Sequence, residues 1–275
     1  MKAYFKTETN AEYHGNRDAV SKSSLARMSV CPAYFKWVMD NPPPKTDDLT
    51  FGSLFHKLVL EPDSIESEFV IAPSFDRRTK AGKEAYAEFC NSVGERDVVT
   101  AEMMASAEAM RDAILANPRA RKLLTKNVTV EQSVYFFDEL TEEALKCRPD
   151  ARKSLGGRTI LTDLKSCRSA SEKAFSRDAE RYGYDLQAYL YRKGVSQALG
   201  VPPSEVDFVF VAVEKSPPHL INIFLADESV ITSGEAKYRE YVDTYHECRT
   251  TGNWYGLNGK DNEIKKLTFG GNKDE

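Results

Sequence analysis

A glycine pair between two strand-like runs is the feature of this sequence that most restricts its fold. Residues 143–151 and 158–165 have the composition of β-strands, and Gly156-Gly157 separates them. Two consecutive glycines suit a two-residue turn in which both central residues have positive φ. We therefore predict an antiparallel hairpin in which Leu155 pairs with Arg158.

This register places two aspartates opposite each other. Asp150 pairs with Asp163, and directly opposed side chains have Cβ atoms roughly 4.5–5.5 Å apart. Because side chains alternate along a strand, Lys165 shares the face of Asp163 while Leu164 points into the core. Two carboxylates this close repel each other unless a cation lies between them, and a divalent cation with oxygen ligands fits that position. The alternative is an exposed hairpin on which both aspartates and the lysine are solvated.

Composition restricts the class of protein without assigning a function. Hydrophobic residues make up 41% of the 275 residues, which supports a sizeable core and excludes wholesale disorder. No uncharged apolar run reaches the length of a membrane helix, and no export signal is visible at the N-terminus. Five scattered cysteines without a CxxC pair argue against a disulfide framework or a zinc ribbon, so a cytoplasmic location is expected.

The overall charge argues against one mode of nucleic-acid binding. The net charge is −4, so the chain cannot coat a polyanion through an overall positive field. A local groove that binds phosphates while the exterior stays acidic remains compatible with this charge.

The order of helical and strand patterns predicts one α/β domain over residues 1–275. We expect residues 1–20 to form an irregular arm and residues 63–125 to form a helical insertion. The remaining patterns predict helices at 21–28, 32–40, 50–61, 101–124 (broken near Asn117-Pro118), 170–199 (the longest) and 229–249, and strands at 128–137, 143–151, 158–165, 206–213 and 220–225.

Several segments together resemble a known nuclease family. Pro149-Asp150 followed by Asp163-Leu164-Lys165 is similar to the signature of the PD-(D/E)XK nuclease superfamily. Within it, the chain resembles the exodeoxyribonuclease VIII (RecE-type) branch of phage and prophage exonucleases, which is related to lambda exonuclease and RecB-type nuclease domains. The other matching segments, in chain order, are Ser23-Ser24-Leu25, Cys31-Pro32-Ala33, Gly52 to Pro62, Glu131, Tyr184 to Tyr191, Val213 to Pro218 and Gly252-Asn253-Trp254.

The resemblance implies a fold, an activity and partners. The fold would be a restriction-endonuclease-like core over about 128–213, with a central mixed sheet flanked by helices. The activity would be Mg²⁺- or Mn²⁺-dependent exodeoxyribonuclease digestion of duplex DNA ends, 5′→3′, leaving 3′ single strands for recombination in a bacterial or phage-infected cell. A RecT-type annealing protein would be the partner. A homo-oligomeric ring is expected, with a monomer bearing a shallow groove as the alternative.

The resemblance also assigns roles to residues. Asp150 and Asp163 would bind the metal ion with help from the Leu164 carbonyl, and Lys165 would orient the attacking water. His56, on the helix within Gly52 to Pro62, is implied as a further metal ligand. Without the resemblance, a single helical histidine is more often a packed or surface residue.

Three further residues are expected beside the site. Glu131 is a metal ligand, a partner of a ligand or an exposed strand carboxylate, and we assign it to the site. Tyr184, Gln187 and Tyr191 form one helical stripe, and a buried glutamine needs a polar partner, so Gln187 and Tyr191 are predicted to lie next to the site. Five basic residues could contact phosphates or be simply solvated: Arg77, Arg78, Lys80, Arg177 and Arg181.

Two other functions compete with this interpretation. A Cas4-like or AddB-like nuclease, of different polarity, would carry an iron–sulfur cluster and need three late cysteines, but Cys248 is the only cysteine after residue 167. A non-catalytic protein that binds DNA ends on a decayed nuclease fold is the other alternative, and the intact Asp150, Asp163 and Lys165 argue against it.

Overall fold

A computed structural model describes residues 2–267 of the chain. The strands are β1 (Tyr4–Lys6), β2 (Val20–Ser21), β3 (Phe69–Ile71), β4 (Asp97–Val99), β5 (Thr129–Val130), β6 (Ser133–Phe137), β7 (Ala144–Cys147), β8 (Ala151–Leu155), β9 (Arg158–Cys167), β10 (Val206–Glu214) and β11 (Ile221–Leu225). The helices are α1 (Asn10–Gly15), α2 (Lys22–Leu25), α3 (Pro32–Asp40), α4 (Asp47–Leu60), α5 (Ile65–Glu68), α6 (Lys80–Ser92), α7 (Ala101–Ala116), α8 (Pro118–Leu124), α9 (Glu172–Tyr182), α10 (Tyr184–Leu199) and α11 (Glu228–Thr251).

Two sheets organise the chain. The five-stranded sheet has the order β11-β10-β9-β8-β5, in which β9 and β10 are parallel and the other neighbours are antiparallel. The four-stranded sheet has the order β1-β6-β7-β2. β3 and β4 form a separate parallel pair. This mixed sheet flanked by helices confirms the fold class expected from the sequence.

Both faces of the five-stranded sheet are buried. On one face Leu161 packs in a cluster with Phe175 of α9, and on the other face Leu164 packs in a cluster with Met110 of α7. Burying each such side chain contributes roughly 1.5–3 kcal/mol. Because residues alternate along β9, Asp163 faces the same layer as Leu161, which is the layer that contains α10.

The predicted hairpin register is observed. Leu155 pairs with Arg158, and Gly156 and Gly157 have φ values of 60° and 80°, as a primed two-residue turn requires. The ladder ends at the pair Ala151–Thr162, so Asp150 lies one residue beyond the last paired position.

The first twenty residues differ from the sequence-based expectation. They are not an irregular arm: β1 pairs with β6, β2 pairs with β7, and α1 lies between them. A capping box in which Thr9 and Glu12 bond reciprocally begins α1. Strands of three and two residues are too short to show the alternation on which a strand prediction depends.

Two other boundaries also differ. The helical pattern over 170–199 is divided into α9 and α10 by Gly183, whose φ of 63° ends α9 in the left-handed conformation. Within the described residues α11, with 24 residues, is therefore longer than either. The segment 63–125 contains helices α5 to α8 as expected, and also the short strands β3 and β4.

None of the helices between residues 2 and 267 combines the length and the apolar composition that crossing a bilayer would require.

Close packing of α11 against α10 depends on Gly234. A Cβ atom at this position would lie 2.1 Å from the carbonyl oxygen of Asp185. We expect Gly234→Ala to lower the free energy of unfolding by about 1–3 kcal/mol in urea denaturation. The control is Gly52→Ala in α4, where a Cβ meets nothing within 4 Å and should stabilise by about 0.5–1 kcal/mol. Equal effects of the two substitutions would contradict this packing argument.

Candidate active site

Glu131 and Asp150 lie at two of the places where the chain crosses between the five-stranded and the four-stranded sheet. Glu131 is between β5 of the five-stranded sheet and β6 of the four-stranded sheet, and Asp150 is between β7 and β8. The backbone N–H of Glu131 donates to the carbonyl oxygen of Asp150 at 3.2 Å. This backbone hydrogen bond joins the two crossings, so Glu131 and Asp150 lie next to each other.

The position of Glu131 corrects the prediction that it lies on a strand. Its φ is 48°, a left-handed conformation that residues other than glycine seldom adopt. The single strand run expected over 128–137 is broken here into β5 and β6. Residues held in this region of φ/ψ space occur often at functional sites, where surrounding structure enforces them.

His56, Glu131 and Asp150 form a cluster of potential metal ligands. Each presents one ligand atom within 4.8 Å of the others, and His56 Nδ1 lies 3.5 Å from Asp150 Oδ2. Leu54 and Phe55 are fully buried beside His56, so the part of α4 that carries the imidazole is anchored in the core. Two carboxylates and one imidazole form a donor set that can hold a divalent cation.

The electrostatics of this cluster favour a bound cation. Burial raises the pKa of Glu131 to about 8, and the nearby Asp150 carboxylate acts in the same direction. Burial also raises the pKa of Asp150 to about 6; His56 opposes this increase and Asp163 adds to it. Negative charge is thus disfavoured on both carboxyl groups, and a divalent cation among these residues would compensate it.

Asp163 has two partners of its own. Its Oδ1 accepts a hydrogen bond from Gln187 Nε2 at 2.5 Å, and its Oδ2 lies 2.6 Å from Lys165 Nζ. The Oδ2 contact is an ion pair with the Lys165 ammonium, and within residues 2–267 this buried oxygen has no further hydrogen-bond partner. A carboxylate oxygen has lone pairs for more than one partner.

Lys165 carries its charge in a partly buried position. Burial lowers the pKa of its ammonium group, but the charges of Asp163 and Asp150 outweigh this effect and raise the pKa above its ordinary value. The ring centroid of Tyr184 lies 4.8 Å from Nζ. The site thus contains a fixed positive charge next to the carboxylate cluster.

The structure gives the two aspartates different surroundings. The prediction that Asp150 pairs directly with Asp163 is wrong, because the strand pairing ends before Asp150. Asp150 Oδ2 instead accepts a hydrogen bond from the backbone N–H of Leu164 at 2.6 Å. Among the described residues Asp163 is outside the cluster of three ligands. Metal binding by Asp163 and by the Leu164 carbonyl stays a prediction.

Gln187 and Tyr191 lie beside the site, on α10. Gln187 contacts Asp163, and the Tyr191 ring packs against Phe208 with 5.8 Å between centroids. Burial raises the pKa of Tyr191 well above its usual value. Both line a cleft of about 290 Å³ whose walls are formed by Asn10, Tyr13, His14, Ser21, Lys22, Ser23, Glu131, Arg148, Gln187 and Tyr191.

Sequence reasoning missed the contribution of the N-terminal segment to this cleft. The guanidinium of Arg148 lies 4.2 Å from the Tyr13 ring centroid and donates to the Thr9 carbonyl oxygen at 3.2 Å. Arg148 Nε also donates to Ser133 Oγ at 3.0 Å. The one available signal was the Thr9-x-x-Glu12 spacing, which predicts a helix start but gives no tertiary contact.

Lys22 is a second partly buried lysine beside Tyr184, with 5.7 Å between Nζ and the ring centroid, and the sequence did not distinguish it. Burial lowers its pKa to about 8, and the charge of Lys165 contributes to this decrease. Its Nζ donates to the carbonyl oxygen of Tyr182 at 2.7 Å. Nothing in the sequence around Lys22 separates it from a surface lysine at the start of a helix.

Comparison with solved structures supports the fold. The crystal structure of a candidate exonuclease from Eubacterium rectale aligns over 96% of this chain and 96% of that chain, with a TM-score of 0.64 and 16% identity. Identity at that level shows similarity of fold alone. SSO0001 aligns over 70% of this chain and 85% of that chain at 15% identity, and its TM-score of 0.33 is too low to carry an argument.

Comparison by sequence identifies the family. No curated protein matches the chain significantly. The family described as PDDEXK-like domain of unknown function (DUF3799) matches residues 21–266. This match covers most of the chain, which therefore belongs to that PDDEXK-like family.

Proposed function

We propose that the protein is a metal-dependent exodeoxyribonuclease that hydrolyses phosphodiester bonds at the ends of duplex DNA. The observation that carries this proposal is the cluster of His56, Glu131 and Asp150 beside the Asp163–Lys165 ion pair. Membership in a PDDEXK-like family and the fold shared with the Eubacterium rectale candidate exonuclease support it.

The residues of the site have different roles in hydrolysis. His56, Glu131 and Asp150 would hold a divalent ion, which we propose is Mg²⁺ with Mn²⁺ as a substitute; such an ion would lower the pKa of a bound water and compensate negative charge on the phosphate. The N–H of Leu164 fixes the Asp150 carboxylate, and Gln187 fixes the Asp163 carboxylate. The Lys165 ammonium orients the attacking water and stabilises negative charge that develops on the phosphate oxygens.

The polarity and the biological setting of the proposal depend on the resemblance to RecE-type enzymes. Digestion proceeds 5′→3′ and leaves 3′ single strands. A RecT-type annealing protein takes up these strands in recombination.

Digestion of labelled DNA tests the proposal. Linear duplex labelled at its ends should release labelled mononucleotides with Mg²⁺ or Mn²⁺ and none in EDTA, and a covalently closed circle should stay intact. Ca²⁺ should support binding without cleavage, because its looser coordination positions water poorly. Cleavage at an undiminished rate in EDTA would exclude the metal role. Binding of ends without any cleavage would favour the non-catalytic alternative.

We propose that the enzyme works as a closed ring. A chain with net charge −4 cannot hold DNA by its overall field, since screening confines each charge to roughly 8–10 Å at working salt. A ring retains the duplex topologically while its exterior stays acidic. Analytical ultracentrifugation should give a closed oligomer, and excess unlabelled DNA should not interrupt ongoing digestion. A monomeric mass with digestion stopped at once would contradict the ring.

A further inference from the structure

A groove along α9, which adjoins Lys165 through Tyr184, is lined by basic and aromatic side chains. Its cavity volume is about 950 Å³. Tyr184 is one of its lining residues, and the ring centroid of Tyr184 lies 4.8 Å from Lys165 Nζ. We call it the α9 groove, and the lining residues that matter are Arg168, Arg177, Arg181, Tyr182, Tyr184 and Lys215.

Three arginines of the α9 groove have no acidic partner among residues 2–267. Arg177 and Arg181 are one turn apart on α9, about 6 Å along the helix axis, and Arg168 follows β9. Other arginines of the chain do form ion pairs: Arg239 pairs with Asp138 and Arg249 pairs with Glu143. Within residues 2–267, by contrast, no carboxylate lies within 4.0 Å of the three groove guanidiniums. Unpaired guanidinium groups along one groove are suited to the phosphates of a polyanion.

The other charges that line the α9 groove do not cancel this positive charge. Asp178 is the acidic residue among the lining residues. Lys215 is neutralised by Asp48, with 3.0 Å between Nζ and Oδ1. The three arginines therefore leave the groove positive although the chain as a whole is negative.

Tyr182 provides an exposed aromatic surface in the same groove. Its side chain is 51% exposed, and the Arg181 guanidinium lies 5.5 Å from its ring centroid. The ring centroids of Tyr182 and Tyr184 are 6.0 Å apart, and Lys22 Nζ donates a hydrogen bond to the backbone carbonyl oxygen of Tyr182 at 2.7 Å. An exposed ring beside a guanidinium is a surface on which unpaired bases stack, whereas the faces of bases inside a duplex are covered by their neighbours.

We infer that the α9 groove binds an unpaired stretch of the DNA strand next to the cutting position. Its phosphates contact Arg168, Arg177 and Arg181, and one base stacks on Tyr182. This inference rests on the proposed function for the identity of the polymer, and it adds the form of nucleic acid that the enzyme holds.

Binding measurements without cleavage test the inference. Fluorescence anisotropy with a labelled single-stranded oligonucleotide in EDTA should show roughly tenfold weaker binding for the Arg177→Ala/Arg181→Ala double variant. The slope of log K against log salt should decrease in magnitude by about 1.4, since each lost phosphate contact contributes about 0.7. The matched control is Arg119→Ala/Arg121→Ala, which removes two exposed arginines from α8 and should bind within about twofold of wild type.

A second pair of variants tests stacking. Tyr182→Ala should weaken binding of the single strand roughly tenfold, and Tyr182→Phe should bind like wild type because stacking needs the ring and not the hydroxyl. Thermal melting checks that each variant is folded. A blunt duplex of the same length should be insensitive to Tyr182→Ala.

The outcomes separate this inference from the proposed nuclease activity. Because binding is measured in EDTA, an inactive wild-type protein would refute the nuclease and leave the groove test valid. Equal binding by the α9 and α8 double variants would overturn the inference. A second combination of results would also overturn it. In that case Tyr182→Ala would bind the single strand normally, and Arg177→Ala/Arg181→Ala would weaken binding of single strand and duplex equally. The groove would then bind the backbone of a duplex rather than an unpaired strand.

Discussion

Replacing Asp163 by asparagine is expected to lower the rate of DNA hydrolysis by roughly three orders of magnitude while the fold is retained. The amide keeps the shape of the side chain and can still accept the hydrogen bond from Gln187 Nε2. It removes the negative charge that lies 2.6 Å from Lys165 Nζ and turns an NH₂ group toward that ammonium. The variant thus loses a carboxylate of the site and the anchor of the catalytic lysine together.

Single-turnover digestion of end-labelled duplex measures this loss, with thermal melting as the check on folding. Asp112→Asn is the matched control: its side chain is 65% exposed on α7 and pairs with the adjacent Arg111, so activity should be unchanged. An Asp163→Asn protein that digests DNA within about tenfold of wild type would show that this carboxylate is dispensable.

Replacing Lys165 by alanine is expected to lower turnover by roughly two to three orders of magnitude while divalent metal binding persists. The ammonium is not a ligand, and its removal leaves Asp163 and Asp150 with less positive charge nearby. Calorimetric Mn²⁺ titration should therefore give an affinity equal to or tighter than that of wild type.

Lys193 supplies a closely matched control for this lysine. Its Nζ lies 2.5 Å from Glu139 Oε2 and 5.7 Å from the Tyr238 ring centroid, and its side chain is 15% exposed, compared with 19% for Lys165. Lys193→Ala removes a lysine in a similar environment away from the site, and hydrolysis should be preserved. If both alanine variants lost activity equally, the effect would be one of stability rather than of chemistry.

Local sequence rules were sufficient to predict the hairpin at the centre of the site. Two consecutive glycines specify a turn with two positive φ angles, and this turn fixes the register from Leu155 to Ala151. The alternation that buries Leu164 and places Asp163 toward α10 follows from the strand period. The same rules assumed that pairing continued to Asp150. It stops there because the chain turns toward the other sheet.

Tertiary contacts determined the parts of the site that the sequence did not predict. The left-handed φ of Glu131 is enforced by the crossing between sheets, and its sequence, Val130-Glu131-Gln132, contains no glycine or proline to signal it. The N-terminal strands form because β6 and β7 offer edges at positions far along the chain. The depressed pKa of Lys22 arises from burial and from Lys165, more than a hundred residues away in sequence.

The central claim is that His56, Glu131 and Asp150 hold a divalent cation. Anomalous diffraction from crystals soaked in Mn²⁺ tests it most directly, because manganese scatters anomalously and the light atoms of the protein do not. We predict an anomalous peak within coordination distance of His56 and of the Glu131 and Asp150 carboxylates. An absence of manganese among these three side chains in crystals of fully active protein, with the peak elsewhere, would contradict it.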